Sequence, residues 1–285
     1  MSTSISPLHT LFLSLTFQCP AMPPFTLDKT IFTPSLYKKV QDVWFDDQPI
    51  GTQDIDRKVI MKWFGAIPDQ KDAFDTLCRD NFAHALEAIG PEHFPNPSAE
   101  PFLSQIRDFV HADAAGDAAA AAGVALSMVL LLDQMPRNIY RTNEGLAKVY
   151  NHYDKMAYAL ATSFISSTDA PLPRPDLHPQ WRRSPGWRYW FYLPLMHSED
   201  LDAHRKVESI IVELKSELNG DGNEAARAFA QTGLDAEREH MDIIKRFGRY
   251  PHRNAALGRV STEEEREFLR GGGATFGVVQ GDAGK

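Results

Sequence analysis

Val124-Ala125-Leu126-Ser127-Met128-Val129-Leu130-Leu131-Leu132-Asp133 is the stretch on which the fold turns. Entered through the alanine-rich segment from Asp117, it is apolar on nearly every side, so it reads as a helix buried all round rather than an amphipathic surface helix. Its end is expected at Asp133, because Pro136 lacks the amide hydrogen that the helical ladder needs. Upstream, Phe74, Leu77, Phe82, Ala85, Leu86 and Ile89 recur at threes and fours until Gly90-Pro91. Downstream, Leu146, Val149, Tyr150, Tyr153, Met156, Ala157, Leu160 and Phe164 form the next stripe. A proline-rich loop and an aromatic segment, Trp187 to Leu195, precede two further stripes, Leu201 to Leu218 and Ala226 to Phe247. Gly248 stands where a left-handed terminator belongs, and Ser261 with Glu264 reads as the capping box of a last short helix. Alternating strand patterns are nearly absent. The expected fold is all-α, about ten helices packed as antiparallel pairs, without a regular repeat.

Bulk composition bounds the rest. At 285 residues with 43% hydrophobic and 24% charged, the chain can bury a core unaided. Cys19 and Cys78 are too few for a disulfide framework or a cysteine-rich zinc site. A net charge of −8 argues against indiscriminate nucleic-acid coating and leaves room for a local basic patch. Leu8 to Phe17 is apolar but lacks a preceding cation, and Pro20 and Pro23 follow, so residues 1–25 are expected to be a disordered extension and residues 26–285 one helical domain. No membrane span is expected, and the cytosol is the expected compartment.

Three runs could carry chemistry. In Leu132-Asp133-Gln134-Met135-Pro136-Arg137-Asn138, a carboxylate near the C-terminal end of an apolar helix is disfavoured by the dipole and by desolvation, so a cation must offset it; Arg137 is the local partner. The pair either fixes a helix junction or holds a cationic ligand. In His197-Ser198-Glu199-Asp200, Ser198 reads as an N-cap, and equally a base, a hydroxyl and a carboxylate lie in a row. The third run extends from Glu237 to Arg259. His240 sits on the inward edge of its stripe, and Lys245, Arg246, Arg249, Arg253 and Arg259, interleaved with Phe247, Tyr250 and His252, exceed what a helix terminus requires. They suit phosphate or carboxylate binding or a network of structural ion pairs, as do Trp181, Arg182, Arg183, Trp187 and Arg188. Gly271 to Gly277 lacks the ending of a phosphate loop, and neither His-Glu-x-x-His nor Cys-x-x-Cys occurs, so nucleotide hydrolysis and a local zinc site are set aside and no metal is assigned.

Leu130 to Arg141, Tyr192 to Asp200 and Arg246 to Asn254 together resemble the domain-of-unknown-function 924 family, in order and spacing from about Trp63 to Gly273. The segment Asp117 to Gly123 departs from the family in lacking a tryptophan. The resemblance implies a helical, tetratricopeptide-like fold. Through similar fungal proteins it implies an arginine-containing cyclodipeptide synthase, which condenses arginine and a second amino acid taken from charged tRNA. On that reading no cofactor is needed, because the esters are already activated. His197 or His240 would be the base, taking the proton from the attacking amine or from Ser198; Asp133 and Glu199 would pair with the arginine guanidinium, with Arg137 and Asn138 also substrate-binding; Arg246, Arg249, His252 and Arg253 would hold the tRNA terminus. Two other classes stay open: a noncatalytic helical scaffold for a peptide or protein, and a small-molecule hydrolase, with metal assistance through His197, His240 and His252 as its variant. The three runs are expected to converge on one concave pocket.

Overall fold

A computed structural model of the chain describes residues 24–65, 68–220 and 222–278, with the backbone alone at 68 and 69. The expected extension over residues 1–25 lies outside these except for its last two, of which Phe25 stacks on Phe94 with ring centroids 4.2 Å apart. Among the described residues there are helices and turns and no strand.

The order is α1 (Pro34–Phe45), α2 (Arg57–Trp63), α3 (Pro68–Ala88), α4 (Glu100–Ala112), α5 (Ala119–Ile139), α6 (Asn143–Lys148), α7 (Asp154–Ser166), α8 (Pro185–Arg188), α9 (Leu193–Met196), α10 (Leu201–Leu218), α11 (Glu224–Phe247) and α12 (Glu263–Arg270). A single π-helical turn, Val149–Tyr153, joins α6 to α7. α1 and α5, and likewise α10 and α11, pair antiparallel, and the cross-links between them give the direction. Tyr37 O accepts from Ser127 while Gln41, further along α1, donates to Gly123, further back along α5. Between α10 and α11, His204 meets Glu237, Arg238 meets Glu208, and Lys215 meets Gln231 near the connecting turn.

α5 is the hub, packed against α1, α3, α4, α7 and α9. From Val124 to Asp133 every residue is buried, as the all-round apolar pattern requires. By length and composition this helix could cross a membrane, contrary to the expectation from the sequence, but 83% of its most apolar window is buried within the protein. The aromatic segment folds into short turns whose rings close the core: Trp187 stacks on Phe45 at 3.7 Å, and Trp190 meets both Trp44 and Trp63 edge-on at 4.8 Å.

Three local expectations are corrected. Pro136 does not end α5, which runs on to Ile139 with the proline inside it. The amide missing at Pro136 leaves the Leu132 carbonyl without its ladder partner, yet Tyr140 N still donates to Pro136 O at 2.8 Å, and burial of Met135, Asn138 and Ile139 outweighs the lost bond. The capping box is one residue later, Thr262 with Glu265, leaving Ser261 to accept from Asn254. Leu77, on the α3 stripe by spacing, is 43% exposed.

Leu132→Ala should therefore cost about 2–5 kcal/mol, and Leu77→Ala less than about 0.5 kcal/mol. Urea unfolding of the two variants checks the contrast; equal losses would contradict the placement of α5 as the hub.

Candidate functional site

The site is built outward from Asp133. Its carboxylate, inside α5 and 1% exposed, accepts from Nδ1 of His197 at 2.8 Å and from Gln134 at 2.5 Å, and lies 3.4 Å from the Arg137 guanidinium. Burial acts to raise this carboxyl, but Arg137 and His197 overcome it and hold it well below the usual carboxylate range. Arg137, one turn on, donates in bidentate fashion to Asp154 at 2.7 and 3.0 Å and also to the Asp133 carbonyl. Asp154 in turn lies 3.7 Å from Arg253. The result is a row of alternating groups, His197, Asp133, Arg137, Asp154 and Arg253, contributed by α9, α5, α7 and the Pro251–Arg253 turn. Arg253 is sandwiched by the Tyr150 and Tyr250 rings, 4.6 and 4.5 Å from their centroids.

Local structure explains the aim of these groups. His197 follows the last residue of the four-residue helix α9, so its ring turns back towards α5. The π turn advances the chain by an extra residue just before Asp154 and swings that carboxylate to Arg137. Gly248, at φ +68°, ends α11 and reverses the chain, so Tyr250 to Arg253 return alongside His240.

A cleft of about 300 Å³ opens over this row, lined by Arg137, Arg141, His197, His240, His252 and Arg253 and by Lys71, Asp72 and Asp75 of α3, of which Asp75 holds Arg141 in a bidentate pair at 2.7 and 2.9 Å. It is continuous with a second hollow of about 480 Å³ that shares Arg137, Arg141, His197 and His240 and adds Lys62, Asn138 and Glu239. His197 donates a hydrogen bond from Nδ1–H to the Asp133 carboxylate, so Nε2 carries the lone pair and makes no hydrogen bond among the described residues. Burial first, then Arg137, push the His197 imidazole below its ordinary value, against the pull of Asp133. His240 donates from Nδ1 to Ala236 O at 2.7 Å, and burial lowers it to about 3. Burial, reinforced by Arg253, lowers His252 to about 2. The cleft thus sets neutral imidazoles, which can accept a proton, beside guanidinium groups of which Arg137 and Arg141 already hold Asp154 and Asp75, while the buried Nε of Arg253 has no hydrogen-bond partner among the described residues.

Phe276 covers part of the cleft. Its backbone is left-handed at φ +51°, and its ring stacks on His240 at 3.9 Å and 20°.

The three runs do meet, through different residues than expected. Asp133, Arg137, Asn138, His197, His240, His252 and Arg253 form or underlie the cleft. Ser198 is turned away: its hydroxyl donates to Leu195 O at 2.7 Å, and Asp200, not Ser198, caps α10. Glu199 is held by both nitrogens of Arg259 at 2.8 and 2.9 Å and by Tyr250 N, which leaves it no face for a ligand guanidinium. Arg249 grips Glu265 at 2.6 and 2.8 Å, and Arg246 pairs with Glu264 on the surface. Arg182 and Arg188 are tied to Glu217, and Trp181 and Trp187 belong to the core. The sequence reading missed Asp154, Arg141, Lys71, Asp72 and Phe276. Two left a trace: Arg141 closes the run from Leu130 that carries the resemblance, and Asp154 stands one helical turn after Tyr150. Among the described residues no three His, Cys, Asp or Glu side chains are grouped so as to hold a metal ion.

The family described as "Bacterial protein of unknown function (DUF924)" matches residues 40–273, beginning well before the expected Trp63. A solved structure, that of the Agrobacterium tumefaciens protein of unknown function ATU0120, is similar over 86% of this chain and 99% of its own, at 27% identity and a TM-score of 0.54. No curated protein matches.

Histidines kept neutral by burial make stability depend on pH in one direction. Their folded values lie below the unfolded one, so below ~6.5 only the unfolded chain takes up these protons, and stability present above ~6.5 is lost as pH falls. For His240, lowered to about 3, that loss is about 1.4 kcal/mol per pH unit through most of the window down to that value. Urea midpoints between about pH 7 and pH 4.5 should fall steadily, and His240→Asn should remove about that much slope. An unchanged slope would contradict a neutral buried His240. Nitrogen shifts of His197 should likewise report the Nδ1–H form, lost in Asp133→Asn.

Proposed function

This chain belongs to the DUF924 family, and from that premise we propose that it is an enzyme whose active centre is the cationic cleft, with the Asp133–His197 pair as its proton acceptor. The observation that carries the reading is the 2.8 Å bond between these two groups beneath a cleft lined by Arg137, Arg141 and Arg253. A buried carboxylate that fixes the tautomer and aim of an imidazole is the arrangement a general base needs.

The specific reaction we propose is the one the sequence resemblance implies, condensation of two aminoacyl esters carried on tRNA, arginine being one. The α-amine of one ester attacks the carbonyl of the other; Nε2 of His197 takes the amine proton and returns it to the departing ribose hydroxyl. A second attack, by the remaining amine on the remaining ester, closes the ring and releases the second tRNA. Holding both esters in register supplies much of the acceleration. The engagement of the Ser198 hydroxyl supports direct condensation over a covalent intermediate. Lys71 and Arg253 would meet the phosphates, with Arg141 turned to Asp75. Asp72 and Glu239, which have no cation partner among the described residues, replace Asp133 and Glu199 as the groups a substrate guanidinium would meet. The cytosol, where charged tRNA resides, is the compartment this reading requires.

Purified protein incubated with arginyl-tRNA and a second charged tRNA, without ATP, should yield an arginine-containing diketopiperazine by mass spectrometry. His197→Asn should slow its formation by about 10²–10⁴-fold. Absence of product from the unaltered protein would overturn the reaction, as would full activity in His197→Asn overturn the assigned base.

A further inference from the structure

The cationic cleft does not end at its charged walls. Its second hollow shares Phe64, Tyr189 and Ala236 with a third of about 560 Å³, which runs between α2, the turn before it and α11. No charged side chain lines this third hollow among the described residues. Ile55, Ile60 and Phe64 form one side, Phe229 the other, and the floor is the small-residue face of α11. Gly233 lets the Tyr189 ring lie against that helix, since a Cβ there would stand 2.9 Å from the ring. Phe64 is 60% exposed at the junction.

Scattered exposed apolar side chains are ordinary, but a walled apolar trough opening into a cluster of guanidinium groups separates two chemistries along one path. We infer that the ligand of this cleft is an amphipathic anion: an anionic group held among Arg137, Arg141 and Arg253, joined within the same molecule to an apolar body that lies in the groove between α2 and α11. The inference rests on the reading of the cleft as an anion site and adds the second half of the ligand. Continuity of the walls argues for this occupant, because a body bound by its charged end beside Arg137 and Arg141 is led past Tyr189 into the groove.

Calorimetry with inorganic phosphate, butyl phosphate, octyl phosphate and octanoate, all below their micelle concentrations, tests it. Affinity should rise roughly two- to fourfold for each added methylene from butyl to octyl phosphate. Octanoate binding as tightly as octyl phosphate identifies a carboxylate head, and much weaker octanoate binding a phosphate head; both support an amphipathic anion. Ala228→Trp, on an exposed turn of α11, should fill the groove and flatten the chain-length series while inorganic phosphate binds as before. Its circular dichroism and urea midpoint establish folding, and Thr232→Trp provides a second plug. A flat series in the unaltered protein, or a slope that persists in both plugged variants, overturns the apolar subsite and leaves the cationic cleft standing. No binding of any of the anions overturns the anion site itself and this inference with it.

Discussion

Burying the Asp133 carboxylate in the most apolar helix of the chain would cost several kcal/mol were it left without partners. The elements around it are arranged to meet that demand. Its hydrogen bond to His197 ties α9 to α5, its proximity to Arg137 draws in Asp154 and with it α7, and Asp154 reaches Arg253 beyond the end of α11. Four segments far apart in sequence are thereby fixed around one charge. Charge within the row is balanced, two carboxylates against two guanidinium groups, but the guanidinium groups retain donors of their own, among them the buried Nε of Arg253. Removing one member of such a row leaves its neighbour buried and uncompensated, so the network behaves as a unit rather than as a set of independent pairs.

Helix periodicity made the architecture legible. Apolar spacing at threes and fours located the long helices, and the all-round apolar character of Val124 to Leu132 identified the hub, because both properties follow from local geometry that a sequence records directly. Pro136 misled because its local cost is overridden by the packing of three buried neighbours. The capping box slipped by one residue because Ser261–Glu264 and Thr262–Glu265 satisfy the same spacing, and only the backbone at Thr262 selects between them.

The site was legible as runs and not as residues. Neighbours on a helix or tight turn diverge by about 100°, so a run that contributes His197 to the cleft sends Ser198 and Glu199 elsewhere. Glu199 and Arg249 found structural partners, Arg259 and Glu265, that lie far enough along the chain for no pairing rule to reveal them. Asp154 was hidden by the π turn, which breaks the periodicity that would have placed it beside Tyr150's inner neighbours. Phe276 belongs to a segment without any period, and only the folded chain brings its ring onto His240.

The α3 wall carries a reporter of its own. Cys78, fully buried one turn beyond Asp75, has its thiol pushed up to about 12 by burial and by the adjacent carboxylate. A thiol in that state does not react with alkylating reagents while α3 stays seated on α5. The rate at which it becomes labelled in the native protein is therefore a clock for how often that wall of the cleft lifts away from the hub, and a bound ligand that bridges α3 and α5 would slow the clock in proportion to how firmly it clasps the two helices together.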